Sequence, residues 1–453
     1  MKQLAKQLGA VDYFVVGFGA MVGVGWLVVM DDWLQRGGPL GAVLGFFVGA
    51  LVLLPVGYVY GKLVQAIPDA GAEIAYTARA FSPPVSFATG WMMTLAYLVV
   101  CPWEGVAIGT VCSYIFPQLK SFELYRVAGQ PVYLPQLLLG LALTGALTWI
   151  NYTGVKMSAR FQGVTTFALL GLFAIFTLGA ARHGSAANLS PGFAHAPWLS
   201  ILLVLQVVPY FMTGFESVGK CAEEASPRVR PGAFSRAIQA AIVVSGVFYC
   251  VIIFVVGYAF PWQRLVTQPF ATAYALQQVT PGKWIVDLVL AAALCALLKC
   301  FNANFLATTR LLFALGRKQM IYPGLGDVHE RRQTPWAAVL LTGALTAAGI
   351  FLGKAILIPI TEVGGLASAC GWLASCAALF VMDRSYSVRT VAVLGAVISS
   401  ALVGMKIFPF VPGHFSLAEW SALALWIGLG LIVRVRRTEI GRPEPSKAQA
   451  SRP

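Results

Sequence analysis

The chain has 453 residues, of which 58% are hydrophobic and only 11% charged, against roughly 25% charged for a soluble domain. That excludes an ordinary soluble protein, and apolar runs too unbroken for alternating strands of ~10 residues exclude an outer-membrane barrel. The formal net charge of +14 would suggest nucleic acid in a soluble domain, but no polar stretch here is long enough to bury a core, so the charges mark the sides of a bilayer and no nucleic-acid partner is expected.

Met1 to Asp12 is a short amphipathic lead carrying Lys2 and Lys6, with no small-residue cleavage site, so no removable signal peptide is expected. Twelve apolar segments follow at 12–30, 39–62, 84–116, 135–153, 157–181, 198–220, 235–260, 284–315, 335–353, 356–381, 387–408 and 416–434, numbered 1 to 12 below. Each is long enough to cross a bilayer, which takes ~20 residues. The predicted fold is an all-α polytopic membrane protein of about twelve transmembrane helices, a permease-like domain over 1–434 and a polar, Pro-containing, disordered tail over 435–453. With the N-terminus cytoplasmic, most of the 32 lysines and arginines fall on that side, among them Lys62, Arg79, Lys220, Arg228, Arg317 and Arg331. The positive-inside rule then puts both termini in the cytoplasm, and a bacterial-type inner membrane is the expected location.

Segment 1 contains Gly17-Phe18-Gly19-Ala20-Met21-Val22-Gly23-Val24-Gly25 at the depth of the hydrocarbon core. Glycine costs ~1 kcal/mol per residue in a helix interior, so this density predicts an interruption. Unwound backbone is tolerated in a membrane only where it faces protein or a water-filled cavity, which points to a binding site. The competing explanation is a close helix contact through Gly19-xxx-Gly23. Segment 6 carries Pro209-Tyr210-Phe211-Met212-Thr213-Gly214-Phe215-Glu216, a second expected break. Broken helices in corresponding places of two halves point to a secondary transporter with its site at the midplane. Exposed N–H groups around Val24 and Gly25 suit a carboxylate and free carbonyls near Gly19 and Phe211 suit an ammonium group, so a zwitterionic amino acid satisfies both.

No catalytic grouping surrounds the four histidines, His183, His195, His329 and His414, which all lie in loops. The eight cysteines, with no CxxC pair, read as packing residues, and neither metal nor cofactor is expected. Glu104, in Cys101-Pro102-Trp103-Glu104 of segment 3, either faces the cavity and binds a cationic group or pairs with Lys299 of segment 8. Glu216 either ties the segment 6 break together or takes up a proton as a gate moves. Asp287 and Glu362 lie near segment ends and read as solvated.

These residues resemble the amino acid–polyamine–organocation superfamily of permeases over nearly the whole chain. The likeness rests on Gly17-x-Gly19-x-x-x-Gly23-x-Gly25 in segment 1, Pro68-Asp-Ala-Gly71 through Tyr76 before segment 3, and Gly214-Phe-Glu216 in segment 6. Ala222-Glu-Glu-Ala-Ser-Pro227 and the stretch from Arg310 through Arg317 to Thr334-Pro335 complete it. The resemblance implies a five-plus-five inverted repeat, about 12–181 against 198–381, with extra helices over 387–434, and alternating access for amino acids or amines. It implies a substrate site around Gly19, Ala20, Met21, Gly23, Val24, Gly25, Phe211 and Gly214, with Tyr210 as an aromatic gate. Two departures matter. Val24 stands where many members have Ser or Thr, and Leu169 where proton-coupled members often carry a lysine. Lys299 is expected to replace that lysine, as a fixed substitute for a coupling cation or as a proton carrier. The expected function is a permease or exchanger for a small amino acid, proton-linked or exchanging rather than sodium-coupled. An amine or polyamine permease is the alternative, and a non-transporting membrane sensor of the same fold a further one.

Overall fold

The computed structural model describes residues 4–182, 184–230, 232–268, 270–279 and 284–434; the expected tail over 435–453 lies outside the described residues. The chain is predominantly helical. Nine helices among the described residues are long and apolar enough to cross a membrane, from Ala10–Val28 to Tyr386–Ile407. A bent pair, Pro197–Leu205 with Val208–Lys220, turns through 47°, and two shorter apolar helices cover Trp336–Ile350 and Leu417–Val433. The helices present large apolar side chains outward, such as Phe47, Leu51, Val247, Leu425 and Ile432, which are 48–81% exposed. A surface of that kind belongs against lipid.

Segment 2 is one helix, Met30–Ala66, kinked at Gly38-Pro39. Its glycines set the packing of the core. Gly41 and Gly45 face Ser200 and Val204 of segment 6, and Gly57 faces Ile242 of segment 7, so closely that a Cβ on any of the three would lie within 2.8 Å of the neighbour. Small residues at this spacing let backbones approach where lipid gives no hydrophobic drive between helices. Segment 12 is joined to segment 3 by the stacked rings of Trp91 and Trp426, 4.4 Å apart, each indole N–H donating to the other residue's carbonyl.

The all-helical reading needs one correction. A hairpin of β1 (Glu123–Val127) and β2 (Gln130–Tyr133) follows segment 3. Its two-residue turn, Ala128-Gly129, has positive φ at both positions, 47° and 79°, which matches the right-handed twist of the strands. Tyr125 anchors it by donating its hydroxyl to the Phe351 carbonyl at 2.5 Å.

One loop assignment also changes. Lys220, expected among the aqueous cations, is fully buried and bonded to Glu73 at 2.7 Å. Arg310 is fully buried and grips Glu224 through two bonds of 3.1 and 2.6 Å. On the same side Arg317 holds Glu223 at 2.7 Å and Asp69 at 3.4 Å. The lead docks there too, with Leu8 bridged to Ala225 and its amide donating to the Glu224 carbonyl. Motifs distant in sequence thus meet in one ionic lattice. Asp287 is exposed as expected, but Glu362 pairs with Lys406 at 2.6 Å. Removing one partner of a buried ion pair strands the other, so Arg310→Met is expected to cost ~3–5 kcal/mol, read as a lowered unfolding midpoint of the purified protein. The double variant Arg310→Met/Glu224→Gln should recover part of the loss.

Candidate substrate site at the two helix breaks

Both expected breaks are present. The first helix ends at Met21, Val22 is extended at φ −102° and ψ 91°, and helix resumes over Gly25–Val28. Ending a helix frees carbonyls that must find other donors. Lys299 donates to the carbonyl of Gly19 at 3.3 Å and to that of Val22, with its ammonium 4.7 Å from the Phe18 ring. Asn304 donates to the Ala20 carbonyl at 3.3 Å, and the Tyr249 hydroxyl to that of Met21 at 2.8 Å. Segments 7 and 8 therefore satisfy every carbonyl from Gly19 to Val22. The expectation that the Gly19 carbonyl stands open to a substrate ammonium is corrected by this geometry, because the protein's own ammonium occupies it. The Phe211 carbonyl receives the Tyr249 hydroxyl at 3.4 Å.

Segment 6 is interrupted twice. Gln206 and Val207 form a turn ahead of Pro209, which has no N–H to continue the helix, and residues 213–216 form the expected break. Gly214 has φ 136°, and a Cβ there would lie 2.7 Å from the backbone of Ala20 and Met21. The two unwound stretches touch backbone to backbone, which only glycine allows. Glu216 braces the turn: one carboxylate oxygen accepts from the Gly214 N–H at 3.0 Å and the other from the Trp372 indole at 3.2 Å. The structural role weighed for Glu216 is the one these bonds describe.

Between the breaks lies a cavity with an open volume of about 30 Å³, room for roughly one water. The conformation is closed around its site. Ala20, Met21, Gly23, Gly25, Glu104, Tyr210 and Phe211, all singled out in the sequence, line it together with Trp103. Gly19, Val24 and Gly214 form the backbone behind the wall, while Glu216 and Lys299 sit outside the cavity. Glu104 is buried at 2% exposure and lies against Gly23, and its Oε2 has no hydrogen-bond partner among the described residues. No ion pair within 4 Å joins it to Lys299 among the described residues, so the cavity-facing alternative is the one realised. A larger cavity of about 290 Å³ under the hairpin uses another face of the Glu104 helix and shares none of these residues.

Val100, Thr213, Cys300 and Asn304 also line the site and were not singled out. Two amides, Asn302 and Asn304, inside the apolar run of segment 8 were the available signal. Asn302 bonds Ser158, Gln162 and Asn151, and Gln162 donates to the Val15 carbonyl at 3.1 Å, locking segment 5 to segments 1 and 8. Leu169, where a lysine was looked for, is fully buried. All eight cysteines are free, and no cluster of metal-binding side chains occurs among the described residues.

A polytopic helical protein closed around two facing helix breaks has the architecture of a permease. Residues 12–434 match the family model "Amino acid permease", and the chain belongs to that family, within the amino acid–polyamine–organocation superfamily. Three relatives from Bacillus subtilis (strain 168) illustrate its range. The chain is 22% identical to the amino-acid permease RocE over 85% of this chain and 82% of the relative. It is 25% identical to a methylthioribose transporter over 95% and 93%, and 22% identical to the branched-chain amino acid permease BcaP over 81% and 77%. Because Cys300 lines the cavity, a small thiol reagent is expected to block uptake and Cys300→Ala to remove that sensitivity. Equal inactivation rates for the two proteins, measured in vesicles, would place the reactive thiol elsewhere.

Proposed function

We propose that this chain is a secondary-active permease or exchanger that moves a small amino acid across the cytoplasmic membrane by alternating access. The observation that carries the reading is the Lys299 ammonium seated on the Gly19 and Val22 carbonyls at the segment 1 break. A cation built into the chain at that place removes the need for a sodium ion and favours proton-linked transport or exchange. The substrate ammonium goes to the free Glu104 oxygen, and its carboxylate to the N–H groups at the start of Gly25–Val28. Tyr210 and Phe211 close the aromatic side of the cavity.

In this reading the bent pair and the two shorter helices also cross, giving twelve spans with both termini cytoplasmic. Segments 1–5 and 6–10 form the inverted repeats, each opening with a broken helix, and the residues after 434 form a cytoplasmic tail. The alternative cargo is an amine without a carboxylate. Val24 offers no hydroxyl, which leaves fewer donors for a substrate carboxylate. The relatives carry names of different cargoes, so the lining residues rather than the family decide this one.

Counterflow in proteoliposomes, comparing each small amino acid with the amine left by its decarboxylation, tests both. Gly23→Leu drives a side chain into Glu104 and Cys300 and is expected to abolish counterflow of the active cargo with normal membrane insertion. Unchanged counterflow would remove the site. Lys299→Ala is expected to abolish gradient-driven accumulation while exchange survives, and equal loss of both would give the lysine a structural role only.

A further inference from the structure

Segment 8 carries two buried amides, and the structure uses them differently. Asn302 is complete. Its Oδ1 receives Asn151 at 2.9 Å and the Ser158 hydroxyl at 3.2 Å, and its Nδ2 donates to that hydroxyl at 3.0 Å and to Gln162 Oε1 at 3.1 Å. Asn304, only 1% exposed, is half complete. Its Nδ2 donates to the carbonyls of Cys300 at 2.8 Å and Ala20 at 3.3 Å and lies 3.3 Å from the Cys300 sulfur. Carbonyls only accept, so these contacts fix the amide: the nitrogen faces the segment 1 break, and the oxygen is the free end. That Oδ1 is buried with no hydrogen-bond partner among the described residues, in a residue that lines the cavity.

Glu104 Oε2 is in the same state on the same cavity. A Cβ at Gly23 would meet both Glu104 Oε1 and the Cys300 sulfur, and that sulfur touches Asn304, so carboxyl, thiol and amide form one stretch of wall. Nearby polar groups are already engaged. The Thr213 hydroxyl donates to the Pro209 carbonyl at 2.6 Å, and the carbonyls of residues 19 to 22 have their donors from segments 7 and 8. A buried acceptor without a donor is costly, and two of them beside one small cavity call for a ligand that brings donors. The free volume of about 30 Å³ is the room of one water or one ammonium group.

We propose that Asn304 is a specificity-determining residue of this site: its Oδ1 and Glu104 Oε2 together seat a cargo head group that carries at least two N–H donors, a primary or secondary ammonium. A tertiary ammonium has one N–H and leaves one oxygen unsatisfied, and a quaternary ammonium leaves both. The proposal rests on the permease reading and adds to it the number of donors that the cargo must bring. It holds for an amino acid and for an amine alike, since both present the same head group.

Thermal unfolding of the purified full chain, with the standard amino acids and the amines left by their decarboxylation as probes, first finds the strongest stabiliser. Its N-methyl, N,N-dimethyl and N,N,N-trimethyl forms are then titrated. In the wild type the monomethyl form is expected to bind, the dimethyl form to bind about tenfold or more weakly than the parent, and the trimethyl form not to bind. Asn304→Leu is expected to bring the parent-to-dimethyl ratio down towards one, while Asn304→Asp, which keeps an oxygen in place of Oδ1 and loses the donor to Ala20, keeps the wild-type ratio. Crowding by the added methyl groups acts on all three proteins alike, so the change in ratio isolates the acceptor. A wild type that binds the dimethyl form as tightly as the parent would overturn the proposal, as would an unchanged ratio in Asn304→Leu. If Asn304→Leu does not fold, Asn304→Asp still decides: loss of the ratio there means that Asn304 serves only to hold the Ala20 carbonyl. Stabilisation by no amino acid and no amine removes the permease reading itself, whereas binding without these ratios removes the role of Asn304 alone.

Discussion

Backbone polar groups released inside a bilayer have no water to turn to, and the arrangement of this protein follows from how they are satisfied. Breaking segment 1 at Val22 frees the carbonyls of residues 19 to 22, and Lys299, Asn304 and Tyr249 reach across from two other helices to meet them. Those contacts place segments 7 and 8 against the break. The amide network of Asn302 and Gln162 then brings segment 5 to the same point. What is left open is the opposite side, where Glu104 and the aromatic rings of Tyr210 and Phe211 enclose a cavity.

Charge is handled by the same logic of local closure. Outside the cavity, buried ions come in matched groups: Arg310 with Glu224, Lys220 with Glu73, and Lys299 with carbonyl dipoles in place of an acid. Such pairs add little net stability, because desolvation offsets much of their attraction, but parting them is costly. They therefore suit a boundary between two conformations better than a permanent core. Glu104 stands apart, since one of its oxygens is buried without a partner beside the cavity. An acceptor in that state has most to gain from a cation that arrives from outside.

Composition and local pattern were enough for the class, for the helical runs and for both breaks, because each depends on residues adjacent in the chain. Four glycines in nine residues weaken a helix wherever it is placed, and Pro209 with Gly214 does the same in segment 6. The Ala128-Gly129 turn was equally local, yet the hairpin was passed over, its strands being only five and four residues long. Seven of the twelve residues lining the cavity were singled out in advance, and they are the ones at or beside the breaks or carrying a charge within an apolar run.

Pairing between distant residues was decided by the tertiary structure alone. Nothing near Lys299 in the chain says whether it meets Glu104, 195 positions away, or the carbonyls of segment 1, since local sequence does not fix the rotation of a helix against its neighbours. Lys220 reads as a loop cation because its neighbours are polar, and it becomes an interior residue only when the helix before segment 3 folds Glu73 onto it. Local sequence sets where a helix can form and where it must stop. Which buried donor meets which freed acceptor is set by the packing of helices that lie far apart in the chain.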